Sequence, residues 1–189
     1  MLPEIGNFFL ILSFVTAGSI FFLASFSHYL NKEILDLSNL VFLQTFFIFV
    51  SFLFLENAFL SDDFSVLYVA NNSNPLLPNY YKFSALWGGH EGSMLLFMMI
   101  LSIWIASFAF FVNYKKASDK NSVLGFSVLI FFCFSGFTIF SSNPFERLLP
   151  VASAIGTDLN PLLQDIAFTI HPPICLLYTS PSPRDVEES

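Results

Sequence analysis

Apolar positions in this chain run together instead of alternating. Four stretches, residues 5–27, 39–60, 93–112 and 123–140, each approach the roughly 20 residues of helix that a bilayer core requires. Hydrocarbon offers backbone N–H and C=O groups no partner, so only helices or closed barrels cross it. Continuous apolarity without a period of two selects helices. The expected fold is all-α: a polytopic membrane protein with about four transmembrane helices. Polar residues collect between the runs, in segments 28–38, 61–92 and 113–122 and in a long region opening at Ser141.

Composition supports the pattern. Of 189 residues, 55% are hydrophobic and 11% charged, and mean hydropathy is +0.70. A soluble domain carries about 25% charged residues, so a disordered chain and an ordinary soluble enzyme are excluded. Seven Lys and Arg face 14 Asp and Glu, which excludes a nucleic-acid partner. The 27 Phe read as lipid-facing bulk. Cys133 and Cys175 are the only cysteines; there is no C-x-x-C-H motif and no zinc spacing. The start Met1-Leu2-Pro3-Glu4 lacks a basic n-region and a small-residue cleavage site, so it reads as an uncleaved span.

Charge placement orients the spans. Lys32, Lys115, Lys116 and Lys120 fall in the loops of one side, Lys82 and Arg147 on the other. The positive-inside rule puts the four-Lys side in the cytoplasm, with both termini and residues 61–92 outside. Glu56 lies within the second run, one turn from its outer end. An ionisable residue in a span is a functional candidate, but at this depth an interfacial carboxylate is the simpler reading.

The outer loops carry the candidate chemistry. Residues 61–92 are long for a helix connection. They hold a turn cluster at Asn71-Asn72-Ser73-Asn74-Pro75 and then Trp87-Gly88-Gly89-His90-Glu91-Gly92-Ser93. Taken alone, Trp87 is an aromatic-belt anchor. The glycines permit a tight turn or a close approach, and Ser93 is placed to cap the third span. His90 with Glu91 is either a ligand or proton-transfer pair or a hydrogen-bonded interfacial pair. The second outer region ends in His171-Pro172-Pro173. The two prolines are expected to lock the backbone and bar an α conformation at His171, which would fix the imidazole's direction, and imidazole suits iron and other transition metals. One histidine without a spaced partner is a weak signal.

Read together, these segments resemble the CcmF/NrfE family, the large membrane subunit of cytochrome c heme lyase. The resemblance rests on Pro3-Glu4-Ile5-Gly6, on residues 81–93 (Tyr-Lys-Phe-Ser-Ala-Leu-Trp-Gly-Gly-His-Glu-Gly-Ser), on Ser142-Asn143-Pro144-Phe145, and on Asp158-Leu159-Asn160-Pro161-Leu162-Leu163-Gln164-Asp165 leading to His171-Pro172-Pro173. It covers residues 1–173. It implies an N-terminal part of a heme-handling membrane domain in the bacterial inner membrane. Such a protein takes heme from a heme chaperone, acts with other cytochrome c maturation subunits, and helps form thioether bonds to an apocytochrome c on the periplasmic face. It further implies His171 as an axial heme ligand, positioned by Pro172 and Pro173. Trp87, Gly88, Gly89, His90 and Glu91 form a signature segment that is a possible part of the heme site. Residues 174–189 depart from the family. They are expected to be a non-family tail, artefactual or disordered, on a truncated product that is inactive alone. The alternative is a proton or ion transporter, or a structural subunit of a respiratory membrane complex, using Glu56 or the His90–Glu91 pair.

Overall fold

The computed structural model describes residues 1–30, 36–112, 117–148 and 155–179. Within them the chain is all-α. Four long helices, α1 (Leu2–Leu30), α2 (Ser38–Leu60), α5 (His90–Phe111) and α6 (Ala117–Ser141), correspond to the four apolar runs. All four are long and apolar enough to cross a membrane. Three shorter helices, α3 (Leu67–Asn72), α4 (Asn79–Ala85) and α7 (Ile166–Thr179), lie in the regions between and after them.

The long helices close a ring in which α1 packs on α2 and α6, and α5 packs on the same two from the other side. Leu10, Ile20, Ile48, Leu55, Met98 and Phe131 are fully buried inside it. Phe8, Phe22, Phe46, Phe110, Phe126 and Phe140 face outward, where lipid would cover them. Lipid tails are as apolar as Leu, so the helices are held by close fit and by hydroxyl bonds. Phe14 of α1 stacks on Phe132 of α6 at 4.5 Å between ring centres. Gly125 lets α6 approach so closely that a Cβ there would meet the Cβ of Ala24 at 2.5 Å. Ser51 Oγ donates to the Gly6 carbonyl (2.9 Å), and Thr45 Oγ1 donates to the Ser102 carbonyl (3.2 Å), tying α2 to α1 and to α5.

The charged residues separate to the two ends of the ring. At one end Lys120 lies 4.0 Å from Asp36, and Asn121 Oδ1 accepts from Leu37 N–H at 3.3 Å. Lys32, Lys115 and Lys116, the rest of the four-Lys side, lie outside the described residues. At the other end Arg147 meets Glu4 at 2.6 Å and Asp63 at 3.6 Å. The third span starts earlier than the sequence suggested. Helix α5 begins at His90, and Ser93 Oγ donates back to the Trp87 carbonyl (2.9 Å) instead of capping the helix. Gly89 and Gly92 pack closely against Tyr68 and Leu86, and that packing starts the helix one turn sooner.

Gly125→Val should destabilise the chain by about 1–3 kcal/mol through overpacking, and Ala24→Gly in the same chain should recover most of it; thermal unfolding in detergent measures both. A second expectation concerns pH. The Ser38 hydroxyl, and after it the Ser38 N–H, hydrogen-bond Asp36 and hold its carboxyl below the usual carboxylate range. A carboxyl depressed in the folded state stabilises above its unfolded pKa, and the stabilisation is lost as pH falls through the folded pKa. The stability gap between wild type and Asp36→Ala is therefore constant from about pH 5 to 8 and shrinks in more acid solution.

Candidate functional site

The two polar regions that α5 and α6 separate in the sequence fold together into one cap at the Glu4–Arg147 end of the ring. Backbone pairs join them. Leu67 N–H donates to the Glu146 carbonyl (2.8 Å), Leu148 N–H to that of Ser65 (2.9 Å), Thr157 N–H to that of Ala70 (2.8 Å) and Asp158 N–H to that of Ser73 (3.3 Å). The only bridge among the described residues is antiparallel, Val66 with Arg147. Arg147 also donates to Ser65 Oγ. Inside the cap, Lys82 of α4 is 4% exposed, and its ammonium sits 2.6 and 2.7 Å from the two carboxylate oxygens of Asp62. Removing one partner of such a pair costs about 3–5 kcal/mol, because it strands the other charge. The pair therefore fixes α4 to the end of α2.

Tyr68 of α3 organises the Trp87–Ser93 segment. Its hydroxyl donates to the Leu86 carbonyl (2.9 Å) and accepts from Gly89 N–H (3.0 Å). Burial pushes the phenol up, so it stays protonated and keeps both roles. A Cβ on Gly89 would meet the Tyr68 ring at 2.8 Å, and one on Gly92 would lie 1.6 Å from the Leu86 carbonyl oxygen. No glycine among the described residues has a positive φ. These two positions need glycine for close approach and not for turn geometry. Gly88 packs against Leu159 and Leu163, so the segment docks on the Asp158–Asp165 stretch.

The signature residues then point in different directions. His90 Nδ1 shares a 2.9 Å hydrogen bond with Ser142 Oγ, and its ring lies edge-on to Phe137. It ties the start of α5 to the end of α6, while Glu91 beside it is half-buried. Glu56 is half-buried four residues before the end of α2. Trp87 is 8% exposed, edge-on to Phe83, and its indole Nε1 donates to the Thr169 carbonyl of α7 at 2.9 Å. The aromatic-belt reading of Trp87 is thus corrected. A belt tryptophan turns its N–H to water and headgroups, and this one turns it into the protein.

His171 lies in α7, and so do Pro172 and Pro173. The expectation that the prolines bar an α conformation at His171 is also corrected. The restriction that a proline places on the residue before it is a bias and not a prohibition. Here the helix continues because a freed carbonyl finds a donor elsewhere, Thr169 with Trp87. Thr169, Ile170 and Pro173 face an apolar groove of about 680 Å³, walled also by Phe52, Tyr80, Phe83, Trp87, Leu96 and Met99. At about 100° per residue, His171 falls on the opposite side of α7. Its imidazole is exposed there beside exposed Ile174 and Tyr178. Cys175 Sγ, one turn on, is 3.2 Å from His171 Nε2. Among the described residues no group of three His, Cys, Asp or Glu side chains gathers as a metal would need. Helix α7 runs to Thr179, and residues 180–189 lie outside the described residues.

Sequence reasoning missed α4, although Tyr80, Phe83 and Trp87 stand at i, i+3 and i+7, the stripe of one helix face. It also missed Tyr68 and Lys82, for which no local signal exists. Tyr68→Phe leaves a buried carbonyl and N–H unpaired and lowers stability by about 1–3 kcal/mol. Unfolding in detergent, read by Trp fluorescence, reports it.

A family model described as cytochrome C assembly protein matches residues 87–179. The cytochrome c-type biogenesis protein NrfE of Haemophilus influenzae is 43% identical over 179 residues, covering 92% of this chain and 28% of its own length. CcmF of Pseudomonas aeruginosa is 50% identical over 130 residues (68% and 20%), and CcmF of Escherichia coli 39% over 176 residues (92% and 27%). The chain thus spans less than a third of the length of these curated relatives. A solved structure, Cytochrome c Heme Lyase CcmF, superposes with a TM-score of 0.71 over 80% of this chain and 26% of that one, at 24% identity, a likeness of fold. With these relatives and its four apolar helices, the chain belongs to the CcmF/NrfE family of cytochrome c-type biogenesis proteins.

Proposed function

We propose that residues 1–173 are the N-terminal part of a heme-handling membrane domain that serves cytochrome c maturation, with His171 as an axial ligand to heme. The observation that carries this reading is the placement of His171. Its imidazole is exposed on a helix whose other side is docked to the cap, and its neighbours on that face are Ile174 and Tyr178. An imidazole on an apolar surface suits heme, whose iron takes a nitrogen donor and whose ring is largely apolar. For Nε2 to take iron, Cys175 would give up its 3.2 Å contact with that nitrogen. This face supplies one axial donor.

Heme is the substrate in this reading. Each thioether forms when a cysteine S–H of the apocytochrome adds across a heme vinyl group: the S–C bond forms at one vinyl carbon and the hydrogen goes to the other. No nucleophile from this chain is required. What the chain supplies is position, and holding both reactants in reach accounts for much of such a barrier. The cap would face the periplasm, with both termini on that side and the Asp36–Lys120 end in the cytoplasm, as the Lys distribution favours. The membrane is then the bacterial inner membrane, and the partners are a heme chaperone, further maturation subunits and apocytochrome c.

Titration of the chain in lipid nanodiscs with ferric heme tests the proposal. We expect a nitrogen-ligated Soret band that His171→Ala weakens about tenfold or more in affinity, while His90→Ala leaves it in place. Equal binding by wild type and His171→Ala overturns the assignment.

A further inference from the structure

We infer that Trp87 is a positioning residue for His171: its indole N–H takes over the carbonyl that Pro173 leaves without a helical donor, and so sets the rotation of α7. The inference rests on the reading of His171 given above only where it concerns heme. The coupling between Trp87 and Pro173 stands on geometry alone.

In an α-helix the N–H of residue i bonds the carbonyl of residue i−4, so position 173 serves Thr169. Proline has no N–H, and its ring crowds that carbonyl. A carbonyl left unpaired near the membrane costs free energy comparable to a lost hydrogen bond. The Thr169 carbonyl is the one that Trp87 Nε1 reaches, at 2.9 Å. Tryptophan suits the task because its N–H only donates and its body is apolar. Here that body forms part of the wall of the groove that Thr169, Ile170 and Pro173 also line.

Trp87 is itself held firmly enough to act as a fixed point. Its carbonyl accepts from Ser93 Oγ at 2.9 Å, its N–H donates to the Ser84 carbonyl at 3.2 Å, and Phe83 meets its ring edge-on at 5.1 Å. A second strap runs beside it: Tyr81 of α4 donates its hydroxyl to the Gln164 carbonyl at 2.6 Å, just before α7 begins. Two donors from one short helix and its exit therefore hold the first turns of α7. Holding Thr169 and Pro173 toward the groove turns His171 outward. The two signature segments, Trp87-Gly88-Gly89 and His171-Pro172-Pro173, are then two halves of one device. Pro173 creates the vacancy and Trp87 fills it.

A double-mutant cycle on the full chain in nanodiscs tests this, using Trp87→Phe, Pro173→Ala and both together. The Pro173→Ala change restores an N–H that can bond the Thr169 carbonyl from within the helix. Two readouts are taken: amide hydrogen exchange across residues 169–179, and the affinity and ligand-field spectrum of added ferric heme. We expect Trp87→Phe alone to speed α7 exchange about tenfold and to weaken heme binding by a similar factor. In the Pro173→Ala chain the same replacement changes each by less than about threefold. If Trp87→Phe does not fold, the double variant must fold. Equal effects of Trp87→Phe in both backgrounds, or failure of both variants to fold, assign Trp87 to packing and overturn the inference. Exchange coupling without His171-dependent heme binding overturns the heme assignment and leaves this one standing. His171-dependent binding without exchange coupling does the reverse.

Discussion

Carbonyls and N–H groups at the end of the four-helix ring have few places to go. The ring itself is saturated by its own helical bonds, but about sixty residues of connecting chain must satisfy their backbone beside an apolar medium. They do so mainly with each other. Residues 65–73 pair with residues 146–148 and 157–158 along an irregular seam. Side chains complete the accounting where the seam ends: Tyr68 serves Leu86 and Gly89, Tyr81 serves Gln164, and Trp87 serves Thr169. Trp87 and the helix that carries His171 take their positions from this set of bonds.

The same constraint explains which residue types the cap uses. Tyrosine and tryptophan bring a polar tip on a large apolar body, so one side chain can pack a hydrophobic wall and close an open hydrogen bond. Glycine appears where one of these rings, or a carbonyl it serves, needs the space: Gly89 under the Tyr68 ring and Gly92 against Leu86. Charge in the cap's interior, among the described residues, comes as a matched pair, Lys82 with Asp62. The ring below solves a different problem. There the helices are already saturated, and small residues and Phe stacking set how near they come.

Function, on the reading proposed, depends on rigid placement and less on reactive side chains. His171 is presented on the outer side of a helix whose inner side is pinned, and an axial ligand needs a fixed direction more than an unusual chemistry. The apolar groove, the indole and Pro173 lie on the pinned side. His90 belongs to a different task, joining α5 to the end of α6 through Ser142. Two histidines, both exposed, therefore separate into one that joins two helices and one whose contact stays within its own helix.

Four spans, an all-α class, charges gathered at two ends and the segments on which membership of the family rests are all legible along the chain. Those features are local or compositional: a run of about twenty apolar residues has one low-energy solution in lipid. The sequence does not reveal that the two polar regions form one cap, because their pairing joins residues about eighty apart with no repeated pattern to betray it. Nor does it reveal that α7 continues through Pro172 and Pro173. Local preference argues against a helix there, and a donor 82 residues upstream reverses the balance. Tertiary structure decided that point because much of the cost of a proline in a helix is a carbonyl without a partner, and only the fold sets which group stands opposite.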